Sequence, residues 1–407
     1  MLKPLQEFIR LESASGILLL IATLAALLTQ NSAASPLYNA FLNYPLAVQW
    51  GQFGIAKPLL LWINDGLMAI FFLLVGLELK REMLQGELAD PKQIILPVVA
   101  ALGGMVVPAI IFAAINWGDA YAMRGWAIPT ATDIAFALGV LALLGKRVPS
   151  ALKLFLLTLA IVDDLGAIVI IAAFYTESLS LPALLVVAGA LLLLSILNIK
   201  NVLSLGAYLA VGLLLWVALL KSGIHATLAG VMLAFFIPLR IQKLAQISTA
   251  EMAQPENSYS ERSPLAKLEH RLHASVAFGI LPLFAFANTG IPLHGMTFSA
   301  LLAPVPLGIM AGLFIGKQIG VFGFSWLLIK SGHASLPNGT TWLALYAVSI
   351  LAGIGFTMSL FVSSLAYGDG AQFAMSDRLG VLCGSALSAV VGLVLLRVAL
   401  GGRAGEK

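Results

Sequence analysis

The sequence predicts an all-α polytopic membrane protein, and its composition and its long apolar runs lead to that fold class. Hydrophobic residues make up 60% of the 407 residues and charged residues only 10%, whereas a typical soluble domain carries about 25% charged residues. The mean hydropathy is +0.98. The apolar residues fall into runs that match the roughly 20 residues a helix needs to cross a bilayer core.

Twelve such runs follow one another along the chain, and we predict each of them to be a transmembrane helix. Residues 1–407 are therefore expected to form a single transmembrane domain. The predicted spans lie at 12–30, 59–79, 94–116, 125–144, 151–175, 182–198, 204–220, 224–240, 274–292, 301–329, 342–366 and 379–400.

Lysine and arginine are unevenly distributed between the two sets of loops that these spans create. Of the 23 Lys and Arg residues, 18 lie on the side of the N-terminus and 4 on the opposite side, with Lys317 inside the tenth span. Cytoplasmic loops carry the excess of basic residues, so both termini are predicted to be cytoplasmic. Topology explains the net charge of +4, and the basic residues do not indicate a nucleic-acid partner.

Two polar segments stand out between the spans. Residues 45–58 alternate in polarity and contain glycines, which is typical of a short β-hairpin. Residues 241–268 are rich in Ser, Glu, Gln and Pro, and this composition favours a flexible linker, which the orientation places in the cytoplasm.

Four ionisable side chains lie deep within predicted spans, where burying a charge is costly. Asp163 and Asp164 are adjacent in the fifth span, Asp133 lies in the fourth and Lys317 in the tenth. One acid and one lysine could form a salt bridge that only locks helices together. Three acids against one lysine leave excess negative charge, so we expect the site to take up a cation or protons.

Two of the spans carry residues that interrupt a helix. Pro129 lies in the fourth span and removes a backbone hydrogen bond, and Gly353 and Gly355 weaken the eleventh. Paired interruptions in corresponding spans are typical of inverted-repeat transporters, so spans 3–5 are predicted to mirror spans 10–12. Each half-helix end carries a partial charge; Asp133 is expected to neutralise amino-terminal ends and Lys317 carboxyl-terminal ends.

Six stretches that cover these features resemble the NhaA-type sodium/proton antiporters of bacteria. They are 61–82, 125–145, 160–167, 220–230, 281–290 and 353–359, and the resemblance extends over essentially the whole chain. It implies twelve helices, crossed extended segments in spans 4 and 11, and a bacterial inner membrane location. It also implies a homodimer whose contact includes the 45–58 hairpin. The linker at 241–268 is longer than in compact members of the family.

The resemblance implies that the chain exports Na⁺, and also Li⁺, in exchange for H⁺, with more protons than Na⁺ moved and with activation at alkaline pH. Asp164 is then assigned to the transported ion and Asp163 to its support, paired with Lys317. Na⁺ takes oxygen ligands, as Ca²⁺ and Mg²⁺ do, so Thr132, Asp133 and freed backbone carbonyl groups are further candidates for the ion site. Beyond the transported ions and the surrounding lipid, no cofactor is expected.

The resemblance also implies a pH-sensing group near the ends of several spans. Its members are expected to be Glu78, Glu82, His225, Glu269, His270 and His273. Histidine titrates within the physiological range. The order Glu-His-Arg-Leu-His at 269–273 differs from the His-Glu-x-x-His zinc motif, and the single cysteine, Cys383, excludes a multi-cysteine metal cluster.

Two alternatives belong to other functional classes. An intramembrane aspartyl protease also uses two membrane-embedded acids, but it needs them on two helices and a Gly-x-Gly-Asp pattern that this sequence lacks; we therefore predict that the chain is not an enzyme. A Na⁺- or H⁺-coupled transporter of an organic solute remains the alternative. It would need additional aromatic or arginine side chains in the core to hold the solute.

Overall fold

The computed structural model describes residues 2–50, 53–86, 91–176, 179–239, 263–294, 298–368 and 375–401. Apart from one β-hairpin, the regular structure in these ranges is helical. Short 3-10 helices lie at Ala122–Thr130 and Gly145–Arg147, and Phe298–Leu301 is a single helical turn. The helices are α1 (Leu2–Gln30), α2 (Ser35–Leu42), α3 (Leu59–Gln85), α4 (Pro91–Ile115), α5 (Ile134–Ala142), α6 (Ser150–Phe174), α7 (Leu181–Ile199), α8 (Leu205–Ser222), α9 (Leu228–Phe236), α10 (Pro264–Asn288), α11 (Pro304–Lys330), α12 (Trp342–Leu351), α13 (Phe356–Tyr367) and α14 (Ser376–Gly401).

Within the described ranges, eight helices are long and apolar enough to cross a membrane, and the number rises to eleven if each of three bent pairs forms one span. The bent pairs are α1 with α2, the 3-10 helix Ala122–Thr130 with α5, and α12 with α13. This confirms an all-α membrane protein with broken spans. The eight single helices are α3, α4, α6, α7, α8, α10, α11 and α14.

The eighth predicted span, 224–240, differs most from the structure. Only its nine residues Leu228–Phe236 are helical, fewer than a span requires. Gly223 adopts a left-handed conformation (φ 89°) that ends α8, and Pro238 disfavours helical geometry at the residue before it. A count of twelve spans stays a prediction.

The segment 45–58 forms two antiparallel strands, β1 (Pro45–Trp50) and β2 (Phe53–Pro58). Their register pairs Pro45 with Pro58 and Trp50 with Phe53. Val48 is exposed on this hairpin. The contribution of the hairpin 45–58 to a dimer contact stays a prediction.

The linker predicted at 241–268 ends earlier than expected. Its residues 241–262 lie outside the described part of the chain, but α10 already begins at Pro264. The Ser263 hydroxyl accepts a hydrogen bond from the Ala266 amide at 3.1 Å, which is a normal N-terminal cap. Leu265 and Leu268 are buried. The C-terminal boundary of the predicted linker was therefore wrong, because a cap and an apolar helix face begin within it.

The chain folds into two compact units, of which the smaller comprises Leu61–Gly86 and Ile171–Ile280 and the larger the remaining segments. In the smaller unit, the described residues of α3, α7, α8 and α9 share a core that includes Tyr208, Leu215 and Leu233. The prediction of a single domain for 1–407 stays a prediction.

In the larger unit, α4 packs closely against α11, α1 against α5, and α14 against α12. Gly103 of α4 faces Gly320 of α11, and a Cβ atom on either residue would overlap the backbone of the other. Two π-helical segments, Gly312–Gly316 and Gln318–Phe322, flank Lys317 within α11. Such segments occur frequently at functional sites.

Candidate functional site

The two interrupted spans of the larger unit bend where the sequence predicts. The 3-10 helix that contains Pro129 meets α5 at an angle of 40°, and α12 meets α13 at 42°. Gly353 and Gly355 lie in the second break, between Leu351 and Phe356. Chain breaks at membrane depth leave backbone groups that need partners, so the hydrogen bonds of these two segments decide what the site can hold.

The two breaks are joined by hydrogen bonds between their backbones and side chains. The amide of Asp133 donates to the carbonyl oxygen of Ile354 at 2.7 Å. The hydroxyl of Thr132 lies 2.8 Å from the carbonyl oxygen of Ala352. These contacts place the residues that follow Pro129 directly against the break in the eleventh span.

Asp133 lies at the amino-terminal ends of two half-helices. It is the N-cap residue of α5, where its Oδ1 accepts a hydrogen bond from the Phe136 amide at 2.9 Å. Its Oδ2 accepts hydrogen bonds from the amide of Thr357 at 3.0 Å and from the hydroxyl of the same residue, in the first turn of α13. A carboxylate in this position complements both positive helix ends.

Lys317 forms a buried ion pair with Asp163 beside this crossing. Lys317 Nζ lies 2.5 Å from Asp163 Oδ2 and 2.9 Å from the hydroxyl oxygen of Thr132. The Thr132 hydroxyl is also 2.6 Å from Asp163 Oδ2. The three side chains are buried, and Oδ1 of Asp163 makes no hydrogen bond with any described residue. No described contact joins Lys317 to a helix carboxyl-terminal end, so that predicted role stays a prediction.

Asp164 is also buried, with 1% of its surface exposed. It follows Asp163 on α6 and therefore lies about 100° further around the helix. In the larger unit, hydrogen bonds thus join three of the predicted site residues, Thr132, Asp163 and Lys317. Asp133 follows Thr132 in the chain and holds the two helix ends, and Asp164 follows Asp163 on α6.

A second group of charged side chains, in the smaller unit, surrounds Arg81 of α3. Arg81 Nε lies 3.0 and 3.1 Å from the two carboxylate oxygens of Glu269, and Arg81 Nη1 lies 2.8 Å from Glu82 Oε1. Glu78 Oε1 lies 3.7 Å from His273 Nδ1. Four of the predicted pH-sensing residues, Glu78, Glu82, Glu269 and His273, therefore lie in one group with Arg81, for which the sequence indicated no role in pH sensing.

The other two predicted pH-sensing residues are placed differently. His270 is exposed on α10. His225 precedes the start of α9, whereas Lys80, the neighbour of Arg81, donates to the carbonyl oxygens of Phe235 and Ile237 at the end of α9. A helix of this length extends about 13 Å, so His225 lies at the opposite end of α9 from the charged group.

Two residues that hold this geometry were not assigned a role from the sequence. Thr357 pairs with Asp133, and Ser385 of α14 accepts a hydrogen bond from the Phe356 amide at 3.0 Å. Thr357 lies two residues after Gly355, and this position at the start of a helix after a break could have indicated a role. A serine in an apolar helix gives no such indication, because its partner lies 29 residues away.

Comparison with known proteins relates nearly the whole chain to one family. A family described as Na⁺/H⁺ antiporter 1 matches residues 6–396. The Na(+)/H(+) antiporter NhaA 2 of Magnetococcus marinus is 57% identical over 395 residues, covering 95% of this chain and 96% of the relative. The Na(+)/H(+) antiporters NhaA of Sulfurovum sp. and Rhodospirillum rubrum are each 56% identical, covering 96% and 98% of this chain and 97% and 98% of the respective relatives.

Proposed function

Because the chain belongs to the Na⁺/H⁺ antiporter 1 family, we propose that it exports Na⁺ electrogenically, taking up more than one H⁺ per Na⁺, and that alkaline pH activates it. Family membership confirms the predicted resemblance and makes the chain a multi-pass membrane transporter that exchanges Na⁺ for H⁺, not an enzyme. The relatives are named as antiporters, which supports this function over organic-solute transport.

The observation that carries the proposal is the buried ion pair between Lys317 and Asp163, with the second carboxylate of Asp164 next to it. Oδ2 of Asp163 already has the Lys317 ammonium as its partner, at 2.5 Å from Nζ. We therefore assign the incoming ion first to Asp164, with Asp163 as its supporting ligand. Bound Na⁺ needs ionised carboxylates, and protonation of the same oxygens expels it, so Na⁺ and H⁺ compete for one site.

Thr132 and Asp133 complete the proposed site from the fourth span. The hydroxyl of Thr132 lies 2.6 Å from Asp163 Oδ2, which makes it a suitable additional oxygen ligand for a hard cation. Asp133 compensates the amino-terminal ends of α5 and α13. Alternating exposure of the site to the two sides then follows the rocking movement of inverted-repeat transporters, with spans 3–5 and 10–12 as the repeats and twelve spans in all.

The charged group around Arg81 is proposed to sense pH. Glu78, Glu82 and Glu269 bring three carboxyl groups close to Arg81 and His273. Histidine loses its positive charge between about pH 5 and 8, so the balance of charge in this group changes over the range in which activation is expected. His270 and His225, which lie elsewhere, are proposed to contribute more weakly.

We further propose the bacterial inner membrane as the location, with both termini in the cytoplasm, because 18 basic residues lie on that side against 4 on the other. The hairpin 45–58 is proposed to contribute to a homodimer. Li⁺, a small hard cation like Na⁺, is proposed as a second substrate. In the cell, this exchange would serve sodium and pH homeostasis.

Everted membrane vesicles from a strain that lacks its own Na⁺/H⁺ antiporters test the proposal. Respiration acidifies their interior, and addition of Na⁺ should release protons and dequench a pH-sensitive dye. Li⁺ should act similarly and K⁺ should not. A lack of response to Na⁺ between pH 7 and 8.5, with the protein present in the membrane, would contradict the proposed function.

A further inference from the structure

The start of α13 lacks the side-chain cap that helices normally have. The first amides of a helix have no partner within it, and the residue before the helix usually supplies an oxygen. Here that residue is Gly355, which has no side chain. A Cβ atom at this position would overlap Ser359 Oγ and lie 2.8 Å from Leu313 Cδ2 and 3.0 Å from the carbonyl oxygen of Ala131, so close packing at the break requires glycine.

The missing cap is supplied by other parts of the chain. The Phe356 amide donates to the Ser385 hydroxyl at 3.0 Å, and the Thr357 amide donates to Asp133 Oδ2 at 3.0 Å. Ser385 lies on α14 and is buried, as are Phe356 and Thr357. The two amides that open α13 are therefore held by two different parts of the chain, one by the acid of the proposed ion site and the other by a serine outside it.

We propose that Ser385 is a positioning residue of the ion site. Its hydroxyl fixes the start of α13 and hence the amide and hydroxyl of Thr357, which hold Asp133 beside Thr132 and the Lys317 ion pair. The inference rests on the proposed function, since it assigns to Ser385 an effect on ion binding. Without this hydroxyl, a buried amide is left without its partner, and the first turn of α13 shifts to satisfy it.

Ser388 provides a matched control on the same helix. It lies about one turn further along α14, its side chain is fully buried, and its hydroxyl makes no hydrogen bond with the described residues. It packs against Gly353 in the same break. Ser388→Ala therefore removes a buried serine hydroxyl from the same helix without removing a helix cap.

The test compares the wild type with Ser385→Ala, Ser385→Thr and Ser388→Ala in proteoliposomes, measuring Na⁺-dependent proton flux against Na⁺ concentration. Ser385→Ala should raise the apparent KM for Na⁺ by about tenfold, the scale of one lost hydrogen bond to a buried group, with a smaller change in maximal velocity. Ser385→Thr, which keeps the hydroxyl, should recover most of the affinity, and Ser388→Ala should match the wild type. A variant that only folds less well would lose velocity and keep its KM.

Amide exchange followed by mass spectrometry gives a second measurement, which does not depend on transport. Peptides that contain Phe356 should exchange faster in Ser385→Ala than in the wild type and Ser388→Ala. A wild-type KM in Ser385→Ala overturns the proposal. If Ser385→Ala does not accumulate in the membrane, Ser385→Cys replaces it, because a thiol is a weak acceptor; a wild-type KM there overturns the proposal and a raised KM supports it. A wild type without exchange activity instead refutes the proposed function.

Discussion

Lys317 Nζ lies 2.5 Å from Asp163 Oδ2, and neither side chain is exposed. Two charges taken out of water in this way are held by each other, and the hydroxyl of Thr132 adds a third polar partner at 2.9 Å from the ammonium. Asp164, next to Asp163 on α6, is buried as well and is the proposed ligand of the transported ion. Because the pair is already balanced and Asp133 accepts hydrogen bonds from two helix ends, a cation that enters the proposed site meets the negative charge of Asp164.

Asp164→Asn should abolish Na⁺-dependent proton release while the protein still inserts into the membrane. The amide keeps the size of the side chain but cannot exchange a proton for Na⁺. Isotopic Na⁺ flux in proteoliposomes at several pH values measures the loss. Asp119→Asn is a suitable control, since the exposed Asp119 carboxylate accepts hydrogen bonds from the Tyr121 and Ala122 amides, which the asparagine side chain can also do. Normal exchange by Asp164→Asn would rule out the assignment of this site.

Asp163→Asn should be severely impaired for a different reason. The substitution removes a proposed Na⁺ ligand and leaves the Lys317 ammonium buried without its counter-ion. We expect both lower transport and a lower melting temperature in detergent, whereas Asp164→Asn should affect mainly transport. If Asp163→Asn retained transport, Asp163 would instead be a structural partner of Lys317 and not a ligand.

The sequence was sufficient to predict the kind of fold and most of the residues that form the candidate site, whose roles stay proposals. Pro129 and Gly353 interrupt the helices of two hydrophobic spans. A charge within such a span is costly enough to indicate function. Partners far apart in the chain could not be predicted in this way. Thr357 is 224 residues from Asp133, and Arg81 resembled any other loop-proximal basic residue until its contacts with Glu269, 188 residues away, were known.

Element boundaries were predicted less well than element types. Hydropathy does not distinguish α9 from the apolar residues that follow it, and Pro238 rather than a change in polarity ends that helix. The start of α10 was missed because Ser263-Pro264, a good helix start, lies in a polar segment that otherwise favours a linker. In both places, backbone chemistry sets the boundary and hydropathy does not indicate it.

Lys317 variants should show graded effects, since the proposed role of this residue is electrostatic. Lys317→Arg keeps the charge and should keep part of the transport activity. Lys317→Ala leaves Asp163 buried without its cation, and breaking a buried pair typically costs about 3–5 kcal/mol. Thermal unfolding in detergent checks this expectation, with Lys330→Ala, at the last residue of α11, as the control. A Lys317→Ala protein as thermostable as the wild type would disprove the role of the pair.

The last prediction separates competition at the ion site from a distinct pH sensor. Competition between H⁺ and Na⁺ lowers the apparent Na⁺ affinity at acidic pH, but saturating Na⁺ restores the full velocity. A sensor around Arg81 limits the maximal velocity itself.

His273 lies 3.7 Å from Glu78 and forms an ion pair with it only when protonated. As pH rises, His273 loses its charge, and the acids around Arg81 gain a larger negative excess. His273→Ala removes the positive charge at this position at every pH, so the maximal velocity at neutral pH should rise towards its alkaline value. His270→Ala, a substitution at an exposed position on the same helix, should change the dependence of maximal velocity on pH less, and the double variant should resemble His273→Ala.

His333→Ala, at an exposed turn outside the group, serves as the control. The measurement is proton flux at saturating Na⁺ between pH 6 and 9. A wild-type velocity that does not change with pH under these conditions would make the sensor unnecessary and leave the paired aspartates to account for the whole pH dependence.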